Sequence, residues 1–163
     1  MSEFFTLTPE HETDDLRPRL VLDTNTVLAL WMFRDPKLEA LRDWIEAGKC
    51  RLYGREDAVE ELRRVLAYRQ FGLDAHVQQT IQVEYRKRLF LLPTPADESA
   101  TANRSPLPTC RDRDDQKFLE ITAQAIATHL ITRDKALRKL ANHPILRNCF
   151  AIITPEQLVA AIF

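Results

Sequence analysis

The sequence predicts an α/β domain: a parallel sheet with helices packed on both faces. Three observations predict it. Short apolar runs of strand type alternate with longer stretches of helical period along most of the chain, the pattern expected of β-α-β units. The 163 residues suit one domain of ordinary size, and 45% apolar with 29% charged residues is a globular balance. Acids or polar residues stand where strand-type runs give way to helices, and open parallel sheets gather their ligands beyond those strand ends.

Residues 1–18 are polar and acidic without sustained period, so a flexible tail is expected there and a single domain over residues 19–163. Arg19-Leu-Val-Leu-Asp23 reads as a strand that stops at an acid, followed by an apolar helical stretch over residues 24–33. Pro36 opens a second helix through about Ala47, with Leu38, Leu41, Trp44 and Ile45 on one face and Gly48 as its C-cap. A brief strand over 50–53 leads to helices over 56–69 and 74–88, and Leu89–Leu92 forms a third strand that Pro93 ends. Residues 93–109 are rich in Pro, Ser and Ala and long for a connection inside a compact domain, which suits either disorder or a working loop beside a site. The remaining elements are a helix over 115–127, a strand over His129–Thr132, a helix over 134–141, a strand over Phe150–Ile153, and a last helix after Pro155.

Scarce residues exclude much chemistry. With only Gly48, Gly54 and Gly72, the chain cannot write a dinucleotide fingerprint, a phosphate-binding P-loop or a nucleophile elbow. The four histidines never approach zinc-protease spacing, and Ser2, Ser99 and Ser105 all lie in polar stretches. Cys50, Cys110 and Cys149 are odd in number and far apart, which argues against a disulfide framework and for reduced packing residues. A net charge of −1 does not mark a polyanion-binding protein, so any such partner must be held locally. No apolar run suits a membrane span and no signal-type leader opens the chain, so a cytoplasmic location is expected.

What the chain has in abundance is carboxylate, and clustered carboxylates usually surround hard divalent cations. Asp23 closes the first strand and Asp134 follows the strand HLIT, each at a helix start; taken singly, each is explained as an N-cap. On the helix after residue 56, Val59, Leu62, Val65 and Leu66 form the apolar stripe, Glu61 falls at its margin, and Glu60 points further toward solvent. For Glu61 the ordinary alternative is a boundary glutamate paired with Arg64 or Arg69. Asp115 projects inside the apolar arc of Phe118, Leu119 and Thr122, where an unpaired acid needs a reason. Asp112 and Asp114 sit beside it as caps or supporting ligands.

Read in order, VLDTN at 21–25, EEL-RRVL at 60–66, CRDRDDQKFLE at 110–120, LITRDKAL at 130–137 and IITPEQL at 152–158 resemble the PIN-domain family. The resemblance is strongest to the toxins of type II toxin–antitoxin systems and covers about residues 19–160. It implies a three-layer α/β/α sandwich around a parallel sheet and a metal-dependent endoribonuclease using Mg²⁺ or Mn²⁺. The family's acids map onto Asp23, Glu61, Asp115 and Asp134, the four that the positional reasoning reached. It further implies an RNA substrate, a small protein antitoxin as partner, and a homodimer. Two positions depart from the pattern: Arg113 stands where relatives often carry proline, and Arg133 where glycine is common.

Arg111, Arg113 and Arg133 flank the acids and are candidates for gripping phosphates; the Arg86-Lys87-Arg88 run reads mainly as the wet face of a helix. Asn25 and Thr132 are candidates for positioning water or an acid. Trp31, Phe33 and Trp44 read as core or subunit-interface residues ahead of base-stacking ones. Two rival functions follow from the same residues. LDTNTV is similar to the nucleophile motif of haloacid-dehalogenase phosphatases, although Asn25 replaces its second acid, and a PIN-like module could bind RNA or protein without cutting.

Overall fold

The computed structural model describes residues 15–95 and 107–163. The tail expected over residues 1–14 and the central part of the proline-rich stretch, residues 96–106, lie outside the described residues. Five strands form one sheet: β1 (Arg19–Leu22), β2 (Arg51–Arg55), β3 (Leu89–Leu92), β4 (His129–Ile131) and β5 (Ala151–Ile153). All neighbours pair in parallel, in the order β3-β2-β1-β4-β5. The register aligns Val21 with Leu130 and Leu130 with Ile152, so like-facing side chains stack in rows across the sheet.

The period of two along each strand divides the core into two layers. Leu20, Leu22, Leu52 and Ile131 face one side, while Val21, Tyr53, Leu130 and Ile152 face the other. On the first side lie α1 (Thr24–Val27), α2 (Glu39–Glu46), α3 (Glu56–Leu66), α4 (Ala75–Arg86) and α7 (Pro155–Ile162), through residues such as Leu41, Leu62, Ile81 and Leu158. On the second lie α5 (Gln116–Gln124) and α6 (Lys135–Arg138), through Phe118, Leu119, Ile121 and Leu137. This is a three-layer α/β/α sandwich. The chain winds outward from β1 to β3 with helices on one face, then crosses back to β4 and continues to β5 with helices on the other, as a constant crossover hand demands. The winding reverses between β1 and β4. That switch point opens a crevice at the carboxyl ends of these two strands.

Several local features follow from the sequence. After α1 the backbone widens into a π-type turn over Leu28–Met32, with the Phe33 amide donating to the Leu28 carbonyl at 2.8 Å. Asp35 caps a short 3₁₀ turn opened by Pro36, and Gly48, with φ +74°, takes the left-handed position after α2 that glycine fills at least cost. Thr154 and Gln157 close a capping box on α7.

Some expectations need correction. The helix expected over 134–141 is a single turn, because after Arg138 the amides of Leu140 and Ala141 bond to carbonyls three residues back rather than four. The helix expected to reach residue 69 stops at Leu66, and Tyr68 is extended. Within the expected tail, residues 15–18 make contacts with the domain: Asp15 pairs with Arg17 at 2.7 Å and with Arg51 at 3.6 Å, and the Arg51 amide donates to the Pro18 carbonyl. Cys50 and Cys110 are buried as packing residues, but Cys149 is exposed. Trp31 is core and Trp44 packs partly against it, whereas Phe33 is 62% exposed and belongs to the surface, edge-on to Phe71. Among the described residues no helix is long and apolar enough to cross a membrane.

Candidate active site

Asp23 occupies the first residue beyond β1, and its backbone amide continues the sheet ladder by donating to the Ile131 carbonyl at 3.3 Å. Its side chain is 3% exposed. Oδ1 accepts from the Thr26 amide at 2.9 Å and from the Thr26 hydroxyl at 2.6 Å, while Oδ2 accepts from the Thr132 hydroxyl. Asp23 is thus the N-cap of α1 and also a carboxylate at the floor of the crevice; capping uses one oxygen and leaves the second with a free lone pair. Burial raises its pKa against the lowering by Thr132 and Thr26, and Asp134 nearby adds to the rise.

Thr132 joins two of the acids. Its fully buried hydroxyl donates to Asp23 and accepts from the Asp134 amide at 2.9 Å. Asp134, in turn, caps α6 by accepting from the Leu137 amide at 3.0 Å through Oδ1. The cap readings of Asp23 and Asp134 and their placement in the crevice hold together, because a helix that starts at a strand's carboxyl end aims its capping residue there.

Glu61 comes from the middle of α3. Its Oε2 accepts from the Thr24 hydroxyl and its Oε1 from the Lys117 ammonium at 2.8 Å, so its partner is neither Arg64 nor Arg69. Asp115 ends a 3₁₀ turn over Arg113–Asp115 that Asp112 caps by accepting from the Asp114 amide. No described residue donates a hydrogen bond to the Asp115 carboxylate, and it makes no cap bond to α5. Its half-buried carboxyl is pushed up to about 7, first by burial and then by repulsion from Asp134, Asp112, Asp23 and Glu61. Asp112 and Asp114 are both exposed, and Asp112 acts on the site as a cap and a nearby charge.

Asp23, Glu61, Asp115 and Asp134 line one cleft of about 130 Å³, with Thr24, Asn25, Val65 and Phe118 completing its wall. They come from four segments that only the fold brings together. The donor set is hard oxygen and carries several negative charges in a small volume, which suits a hard divalent cation. Among the described residues, no three His, Cys, Asp or Glu side chains converge into a ready-made cage. The set therefore fits an ion held directly by one or two carboxylates, with water between it and the others, as Mg²⁺ prefers.

The flanking cations divide in a way the sequence did not disclose. Arg133 is engaged by Asp35 at 3.1 Å and by Glu156, so it is tied to its own surface rather than offered to phosphate. Arg111 and Arg113 are exposed and form no ion pair among the described residues. Arg86 and Lys87 are exposed and engage Glu56 and Glu84 at the end of α4, while Arg88 lies just beyond the helix, half-buried against Glu84. Two residues that bear on the cleft escaped sequence reasoning: Thr24, which lines it, and Lys117, which pairs with Glu61. Nothing in the sequence singles out Thr24. Lys117 carried a usable signal: a cation in the first turn of a helix opposes the macrodipole and calls for an acid nearby.

Fold and cleft together define a class: an α/β/α domain whose acidic crevice lies at the topological switch point of a parallel sheet. A family model of the PIN domain matches residues 19–136, which spans β1 through the start of α6 and includes all four acids. The chain belongs to the PIN-domain family. No curated protein matches it significantly.

Proposed function

We propose that this chain is a Mg²⁺- or Mn²⁺-dependent endoribonuclease that hydrolyses RNA phosphodiester bonds. The observation that carries the reading is the convergence of Asp23, Glu61, Asp115 and Asp134 on one small cleft, within a fold whose members are generally metal-dependent nucleases. A divalent cation bound there would supply Lewis acidity for activating water and positive charge for the phosphate as its bond breaks. Asp23 would be the chief ligand, because Thr26 and Thr132 fix its carboxylate, Oδ2 keeps a lone pair, and the residue lines the cleft. Asp115 and Asp134 would contribute directly or through water, and Glu61 would add its charge to the same cleft. Arg111 and Arg113, exposed and close in sequence to Asp115, are the residues we assign to gripping the RNA backbone, and Asn25, exposed on the cleft's lining, is assigned to orienting water or a phosphate oxygen.

The closer reading is that of the toxin in a type II toxin–antitoxin pair, acting in the cytoplasm as a homodimer and restrained by a small protein antitoxin. It rests on the resemblance of the motifs to that branch. The phosphatase alternative fares worse, because Asp23, the nucleophile it requires, is 3% exposed with both oxygens in hydrogen bonds, and the second acid of its motif is replaced by an exposed Asn25.

The test is cleavage of single-stranded RNA by the purified chain with and without Mn²⁺ or Mg²⁺. Cutting that requires the ion and is lost in Asp23→Asn is the expected result. RNA binding without cutting across both ions would replace the nuclease with a non-catalytic module, and ion-independent cutting would remove the metal from the account.

A further inference from the structure

Lys117 is the one cation paired with an acid of the cleft among the described residues, and the four acids do not share it equally. Its ammonium lies 2.8 Å from Glu61 Oε1 and also donates to the Asp114 carbonyl. Both partners are sheltered, the side chains being 16% and 17% exposed, and the Phe118 ring lies 5.3 Å from the ammonium. Thr24 holds the remaining Glu61 oxygen. Asp23, Asp115 and Asp134 form no ion pair with any described residue. The cleft therefore holds one neutralised acid, Glu61, and three acids with no cationic partner among the described residues.

We propose that Lys117 is a built-in counter-cation for Glu61, occupying the charge position a second metal ion would take, so that the cleft holds a single tightly bound divalent ion on its Asp23 side. The proposal rests on the nuclease reading for the identity of that ion. Two structural facts bear it apart from that reading. Lys117 sits in the first turn of α5, where the helix dipole opposes a cation, so its place is maintained by Glu61 and the Asp114 carbonyl rather than by the helix. Each Glu61 oxygen accepts one bond and keeps a lone pair, but the ammonium 2.8 Å away already neutralises the carboxylate, so a second cation approaching it meets like charge. The Asp115 carboxylate, by contrast, accepts no bond from any described residue, so an ion there meets neither a competing cation nor a donor to displace.

The experiment counts ions. The metal-free chain is titrated with Mn²⁺ and free ion is followed by electron paramagnetic resonance, for wild type, Lys117→Arg, Lys117→Gln and Asp23→Asn. The expected result is about one tight ion in wild type and in Lys117→Arg, a second in Lys117→Gln, and none in Asp23→Asn. Two tight ions in wild type, or one ion in Lys117→Gln as in wild type, would overturn the role of Lys117 and leave the nuclease reading standing. No tight ion in wild type, or undiminished binding in Asp23→Asn, would remove the metal site itself and the inference with it. If circular dichroism shows that Lys117→Gln does not fold, the double variant Glu61→Gln/Lys117→Gln decides, since it removes both charges together. It should keep its single ion with less than the roughly tenfold weakening that loss of a ligand's partner brings. Loss of the ion in that variant would make Glu61 a ligand and end the proposal.

Discussion

Replacing Asp115 by asparagine should stabilise the metal-free protein above neutral pH. Its carboxyl is pushed from an ordinary 3.8 to about 7, with burial as the largest cause and four neighbouring acids behind it. A carboxyl whose folded pKa exceeds its unfolded one favours the folded state's proton, so the ionised form carries a penalty. The penalty is absent below about pH 4, grows through the interval up to about pH 7 and is complete above it. Taken at face value the rise corresponds to roughly 4 kcal/mol. Asp115 is only half-buried, and solvent screening leaves about 1–2 kcal/mol. Asparagine has the same shape, and Asp115 makes no capping bond to lose, so the relief is not offset by a missing contact. In a chain of this size each kcal/mol moves Tm by about 2–4 °C, giving a gain of roughly 2–8 °C. Thermal unfolding in chelator at pH 8.5 should show that gain, and the gap should shrink toward zero as the pH falls to 4.5. Added Mn²⁺ should raise wild type more than the variant. A variant that melts at or below wild type at pH 8.5, or a gap that does not change with pH, would refute the electrostatic reasoning.

Other consequences follow from single contacts. Thr132→Val removes the hydroxyl that bridges Asp23 and the Asp134 amide, leaving a buried oxygen unsatisfied, and should cost about 1–3 kcal/mol in urea unfolding. No loss would mean that the bridge does not hold the site. With Asp23→Asn as an inert background, Arg111→Ala and Arg113→Ala should each weaken RNA binding and lower its salt slope by about 1, as loss of a phosphate contact does. Arg133→Ala should do much less, because Asp35 and Glu156 already hold that guanidinium; an equal effect would show that the pairs open for RNA.

The sequence was most informative where a periodic signal met a chain-terminating one. β3 was legible to the residue because Leu89–Leu92 is bounded by Pro93, and α7 because Pro155 and a threonine cap fix its start. The strand and helix periods identified the two-sided sheet, since Leu20, Val21 and Leu22 had to alternate between two cores. Helix ends were less legible: α6 looked like two turns because Leu137 and Leu140 are correctly spaced, yet nothing in that spacing reports where carbonyl partners change. Asp23 and Asp134 were readable because strand ends and helix starts coincide at them. Glu61 was readable as a face, but its partner was not, for Lys117 lies 56 positions away and only the packing of α3 near α5 joins them. Phe33 reads as core or subunit interface, and at the end of an apolar run the sequence has no signal to choose between them; its 62% exposure removes the core half of that reading.

The claim on which the rest depends is that a divalent cation neutralises the Asp23 cleft. Anomalous diffraction from crystals soaked in Mn²⁺ measures it directly. The account predicts a peak at coordination distance from Asp23 and from one of Asp115 or Asp134, with water completing the shell and Lys117 still on Glu61. An empty cleft at saturating Mn²⁺, with peaks only on outer surface acids, would contradict it.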